Sequence, residues 1–208
     1  MWYSDDFLDA LQETLNVGVG KAAKSLSEMI GPDSEVDLTV PRVTMRALDR
    51  EQHFKLEDSD IISCVKQNFE GAIRGNSFLV FPEDQSLELI RLILGNEVPA
   101  KHVSDLESEA LCEIGNIILN AALSCLAELL DAELLTHVPK VLTGNWQEIF
   151  STPSQSAKTE TPNAVLYMDV SFRLLKADLS GCLGFVLDVE SSTVISKAIE
   201  SLISSTEG

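Results

Sequence analysis

The sequence predicts an α+β protein, a pseudo-twofold tandem repeat whose two long helices pack on a mainly antiparallel sheet. Three observations predict this. First, one stretch occurs twice. Residues 9–20 read DALQETLNVGVG and residues 109–120 read EALCEIGNIILN, so Asp9, Glu13 and Asn16 correspond to Glu109, Glu113 and Asn116 at a constant offset of 100 residues. The flanks keep that offset: Ala10 and Ala110, Leu11 and Leu111, Ala22 and Ala122, Leu26 and Leu126, Glu28 and Glu128. Such a repeat fixes the architecture before any single element does. Second, each copy reads helix, strand, strand, strand, helix. Third, 208 residues suffice for one substantial core or two intimate halves. We read 1–208 as one domain made of repeats at 1–100 and 101–208.

The first repeat helix covers residues 5–30. Leu8, Leu11, Leu15, Val19, Ala22, Leu26 and Met29 recur in steps of three and four and share one face. Gly31-Pro32 stops the helix. Residues 35–43 alternate, with Val36, Leu38 and Val40 on one side, and read as a strand. The polar stretch 46–60 reads as a loop. Residues 61–74 and 77–81 read as strands joined by a tight turn at Gly75-Asn76. Pro82-Glu83-Asp84 opens a helix over 85–94, with Leu89, Leu92 and Ile93 inward. Gly95-Asn96 ends it, and 97–103 link the copies.

The second copy repeats the order. Its helix covers 104–130, with Ala110, Ile114, Ile117, Ala121 and Cys125 as the apolar stripe. Residues 134–142 read as a strand. Ser151–Asn163 is rich in Ser, Thr and Pro and reads as a mobile loop. Residues 164–175 and 181–188 read as strands, with the turn at 178–181, and 191–203 as the closing helix. Phe78-Leu-Val-Phe ahead of Ser86 parallels Gly184-Phe-Val-Leu ahead of Ser192 at an offset of 106.

Composition excludes several classes. Acidic residues outnumber basic ones 33 to 15, a formal charge of −18, which repels nucleic acid and anionic lipid. No stretch reads as a membrane span of about 20 apolar residues. The N-terminus, MWYSDDF, lacks the basic start and apolar core of a signal peptide, so the expected compartment is the cytoplasm. Cys64, Cys112, Cys125 and Cys182 have no Cys-x-x-Cys spacing and read as small buried hydrophobes in a reducing compartment. His53, His102 and His137 have no metal-ligand spacing, so we expect neither metal nor cofactor. Gly18-Val19-Gly20-Lys21 resembles a phosphate-loop fragment, but it lies within a helical pattern and follows no strand.

The chemistry rests on the repeated polar ridge. Asp9, Glu13, Asn16 and Gly20 follow i, i+4, i+7, i+11 on a face apart from the apolar stripe; Glu109, Glu113, Asn116 and Asn120 do the same. Glu and Asn three apart are neighbours one turn along. A single Glu-x-x-Asn reads as a solvated helix face. Asn is a mediocre helix former, however, and the pair recurs at equal offset in diverged copies.

Glu13-x-x-Asn16 and Glu113-x-x-Asn116, with Pro41 and Pro139 following after 24 and 22 residues, resemble the motif of the CheC/CheX/FliY-type chemotaxis phosphatases, and the two-copy arrangement is most similar to the CheC type. That pattern is Asp/Ser-x3-Glu-x2-Asn with a later Pro, and the likeness runs the full length of the chain. Two positions depart from it: Glu109 stands where Asp or Ser is expected, and Leu15 where the second copy has Gly115. The resemblance implies a phosphatase that removes the phosphoryl group from the aspartyl phosphate of a CheY-like response regulator. It implies that Glu13 and Glu113 pair with a regulator lysine, a charge-assisted bond serving docking more than chemistry. Asp9 and Glu109 are the further partner-binding positions. It also implies that any divalent cation belongs to the regulator, and names a CheD-like receptor deamidase as a candidate second partner. Phosphoryl transfer needs mainly positioning and charge stabilisation. A carboxylate would be repelled by the anionic phosphoryl group, whereas the neutral amides of Asn16 and Asn116 can enter and orient water. The competing expectation is a non-enzymatic binding or scaffold module for receiver domains, or a flagellar-switch component. Gly115 beside Asn116 predicts closer approach, and so a stronger second site.

Overall fold

The computed structural model of the protein describes residues 4–31, 36–47, 61–94, 105–150, 164–174 and 177–206. The first repeat helix, α1 (Asp5–Ile30), begins where the Ser4 hydroxyl accepts the Phe7 N–H at 3.2 Å and Asp5 and Asp6 sit at the positive end of the helix. It ends at Gly31, whose φ of 137° is open to glycine and whose N–H reaches Ser27 O at 3.0 Å. The remaining elements are β1 (Val36–Ala47), β2 (Ile62–Gly71), β3 (Gly75–Pro82), α2 (Glu83–Leu94), α3 (Asp105–Leu129), β4 (Leu134–Thr136), β5 (Lys140–Gly144), α4 (Trp146–Phe150), β6 (Ala164–Leu174), β7 (Ala177–Leu187) and α5 (Val189–Thr206). The α+β class and the antiparallel sheet are as expected.

The sheet runs β1-β6-β7-β3-β2, and both β4 and β5 pair with the outer side of β2. Each copy thereby lends its edge strand to the other. Among the described residues β1, from the first copy, pairs only with β6 of the second, while β4 and β5, from the second, pair with β2 of the first. At the centre, Phe78 of β3 faces Gly184 of β7, its own equivalent at the offset of 106.

Both predicted hairpin turns are misplaced, and for one reason. Gly75 and Asn76 lie within β3; the turn is Gly71 to Arg74, opened by Gly71 at φ 144°. Gly75 is needed because a Cβ there would strike the Val186 carbonyl of β7. Residues 178–181 lie within β7, and a Cβ on Gly181 would meet the Phe81 ring at 2.8 Å and Val80 O at 3.0 Å. These glycines admit the neighbouring strand rather than a turn. The strand expected over 134–142 is interrupted at 137–139, where Pro139 has no N–H to give to a ladder. Arg46 and Ala47, expected in a loop, extend β1, and the short helix α4 was not expected. Most of the 46–60 loop, Pro32, Gly95-Asn96, the 97–103 link and the 151–163 loop lie outside the described residues.

One face of the sheet carries the main core. Leu11, Leu15, Val19 and Leu26 of α1 meet Leu111, Ile114, Ile118 and Leu126 of α3, with Ile90 of α2 and Ile195 of α5, over Val65, Leu79, Leu183 and Phe185. The α3 stripe differs from the expected one. Ala110, Ile117 and Ala121 are half-buried, while Leu111, Ile118, Leu119, Ala122 and Leu123 are fully inside, because α3 packs against both α1 and the sheet. Where the two repeat helices cross, a Cβ on Gly18 would lie 2.8 Å from Ala121 O. Gly18 therefore serves helix packing, and the phosphate-loop likeness has no structural counterpart. On the opposite face Ile62, Cys64, Phe78, Val80 and Cys182 form a smaller cluster under Trp146 and Ile149. Burial there pushes the Cys64 thiol up to about 12. All four cysteines are free; Cys64, Cys125 and Cys182 are buried and Cys112 is half-buried. Among the described residues one stretch, Glu107–Leu129 of α3, is long and apolar enough to cross a membrane by length and composition alone. Its apolar side chains are those that fill the core.

Candidate phosphoryl-transfer site

α1 and α3 each present their polar ridge beside an edge strand. Asp9, Glu13, Glu109 and Glu113 are exposed, and Asn16 and Asn116 are half-buried, so exposure matches position by position. Among the described residues the four carboxylates have no basic partner, which leaves them available to a cation on another surface.

The two asparagines are held differently. In the first copy the pairing of β1 with β6 slips between Thr39 and Arg42. Val40 sits in that irregularity, and its backbone turns to Asn16. The Val40 N–H donates to Asn16 Oδ1 at 2.8 Å, and Asn16 Nδ2 donates to Val40 O at 3.3 Å. Both ends of the Asn16 amide are thus engaged by the edge strand.

In the second copy Asn116 lines an open cleft of about 510 Å³ between α3 and the β4–β5 edge. Ser108, Glu109, Cys112 and Glu113 share the helix wall with it; Thr136, His137, Val138, Pro139 and Val141 form the opposite wall. Asn116 Oδ1 accepts from Asn120 Nδ2 at 2.8 Å. Among the described residues its Nδ2 meets no protein acceptor. The Cys112 thiol donates to Pro139 O at 3.6 Å and is pushed up by burial, with the Glu113 carboxylate adding to it, so it is a poor nucleophile. No group of three or more His, Cys, Asp or Glu is placed to hold a metal ion among the described residues.

The structure brings Glu109, Glu113 and Asn116 together on one cleft wall, and Asp9, Glu13 and Asn16 on the equivalent ridge at the opposite sheet edge. Gly115 does not do what the sequence suggested. It is buried, and a Cβ there would lie 2.5–2.9 Å from the Val65 side chain of β2. It brings the helix to the sheet and faces away from any partner. Sequence reading missed Gln67, which is 1% exposed and joins Asn120 to the backbone of His137. A signal was present: Val65, Gln67 and Phe69 share one strand parity, and only Gln67 is polar.

No family model matches the chain. It is 29% identical over 143 residues to the CheY-P phosphatase CheC of Bacillus subtilis, a match covering 66% of this chain and 66% of that protein. The fold matches FliY of Thermotoga maritima with a TM-score of 0.73, at 18% identity, over 97% of this chain and 99% of that one. It also matches the FliM middle domain of H. pylori with a TM-score of 0.61, at 12% identity, over 94% and 99%. The chain is thus similar to CheC in sequence and to FliY in fold.

Proposed function

We propose that this protein hydrolyses the aspartyl phosphate of a CheY-like response regulator in chemotaxis signalling. The observation that carries the reading is Asn116, a neutral amide one turn from Glu113, a carboxylate with no basic partner among the described residues, on the wall of an open cleft. Likeness to CheC supports it. Glu113 docks the regulator through a lysine, and Asn116 enters beside the phosphoryl group. Its Nδ2 donates to one lone pair of a water and leaves the other lone pair in line with phosphorus. The water oxygen bonds to phosphorus as the bond from phosphorus to the aspartyl oxygen breaks. The aspartate leaves as carboxylate, and both hydrogens of the water stay on the inorganic phosphate, which then exchanges protons with solvent. Charge is countered by the regulator's own divalent cation and lysine, so this chain supplies position rather than a nucleophile. Glu13 and Asn16 carry the same roles at the first site, with Asp9 and Glu109 as flanking contacts.

A second reading, a binding module without turnover, is favoured by the cleft's rim. Val138, on the cleft wall, is 85% exposed, an apolar docking contact independent of the amide. The fold it shares with FliM is compatible with either. A CheD-like deamidase as a second partner belongs with both. Release of inorganic phosphate from a phosphorylated receiver protein separates the two. The phosphatase reading expects faster loss of label with the wild-type chain and much less with Asn16→Ala/Asn116→Ala. Stable binding with no faster loss would leave the binding module.

A further inference from the structure

We propose that Gln67 and Asn120 are positioning residues that fix the Asn116 amide with its NH2 toward the cleft; the catalytic consequence rests on the phosphatase reading above. The His137 carbonyl can only accept, so Gln67 must turn its Nε2 to it, at 2.9 Å. The second Nε2 hydrogen then falls to Asn120, whose Oδ1 accepts at 3.2 Å. With Oδ1 spent, Asn120 offers Nδ2, and Asn116 must accept through Oδ1 at 2.8 Å. The polarity of one backbone carbonyl thus passes through two side chains and leaves Asn116 Nδ2 as the group that faces the cleft. A donor there suits an anionic phosphoryl oxygen or the oxygen of the attacking water; a carbonyl there would repel the first.

Burial makes the relay rigid. Gln67 is 1% exposed on β2, below α3, and Gly115 lets the helix sit close enough for the span to Asn120. In this orientation Gln67 makes two bonds through Nε2 and leaves its buried Oε1 without a partner among the described residues, whereas the flipped amide would set Oε1 against the His137 carbonyl. The first copy has no such relay. The position equivalent to Asn120 is Gly20, and Asn16 is held by Val40 instead.

The test uses the Asn16→Ala chain, so that only the second site is read. Asn120→Asp replaces the donor by an acceptor and turns the Asn116 amide around, whereas Asn120→Ala merely releases it into both orientations. Turnover is expected to fall about tenfold or more in the Asp variant and about twofold in the Ala variant, with regulator affinity unchanged in both. A purely structural role predicts the opposite order, Ala worse than Asp. That order, or an Asp variant as active as its parent, overturns the proposal. The Asn116 side-chain NH2 resonances supply a readout that needs no turnover. They are expected to move and to exchange more slowly with water in Asn120→Asp, and identical resonances would overturn the assigned orientation. A chain that shows this shift but never hydrolyses an aspartyl phosphate would sink the phosphatase reading alone.

Discussion

Asn16 and Asn116 occupy equivalent turns of equivalent helices, yet one amide is bound at both ends by Val40 and the other at one end by Asn120. To act on a ligand, Asn16 must first give up two bonds to an edge strand. The second site is therefore expected to be the stronger, for this reason and not for the access once credited to Gly115. Asn116→Ala should remove most of the turnover, Asn16→Ala a smaller share, and the double change nearly all of it. A chain in which Asn16→Ala alone abolishes phosphate release would reverse the ranking. Glu113 is a solvent-facing carboxylate, so Glu113→Ala should weaken regulator binding at low salt, with a difference that fades as salt rises. A dissociation constant unaltered at low ionic strength would remove Glu113 from the docking surface. At this scale the ridge itself was legible in the sequence, because helical spacing sets which side chains are neighbours. Gln67 was not assigned, because its partners lie 53 and 70 residues away, on other elements.

Among the elements, α3 shows how helix height is set. Glycine at 115 allows contact with Val65, so Gly115→Ala should cost about 1–3 kcal/mol by overpacking. It should also stretch the Gln67–Asn120 bond and lower turnover beyond what the stability loss explains. Denaturant unfolding alongside phosphate release measures both, and an unperturbed midpoint would show that β2 yields. α5 is capped by Asp188, whose Oδ1 accepts the Ser191 N–H at 2.7 Å and whose Oδ2 accepts from Arg74 Nε at 2.5 Å. Burial alone would push this carboxyl up, but the bonds from Arg74 and Ser191 outweigh it and hold it below the usual carboxylate range. Asp188→Ala should cost about 1 kcal/mol as a lost cap. Because the folded-state pKa is depressed, that contribution is complete above the ordinary carboxylate value and vanishes as pH falls through the folded one. Melting curves of wild type and variant should therefore diverge at neutral pH and converge in acid. Helix starts and strand parity were readable from local rules. The hairpin turns were not, because a glycine required by a neighbouring strand has the same letter as one required by a turn, as Gly75 and Gly181 show.

For the whole molecule, the strand order is compatible with the repeat expected from the offset of 100. Exchanging the labels of the two copies leaves the sequence of strands across the sheet unchanged, with β3 and β7 at its centre. What no local pattern could announce is the lending of edges, since it depends on which strand β1 meets more than a hundred residues later. That exchange has a consequence for how the chain is made. During synthesis the first copy leaves the ribosome complete in sequence but unable to close its sheet. β1 waits for β6, and the outer side of β2 waits for β4 and β5. Pairings of such long sequence separation form slowly and leave strand edges open meanwhile. Neither copy expressed alone should be stable as a monomer, and two first copies would be driven to borrow an edge from one another.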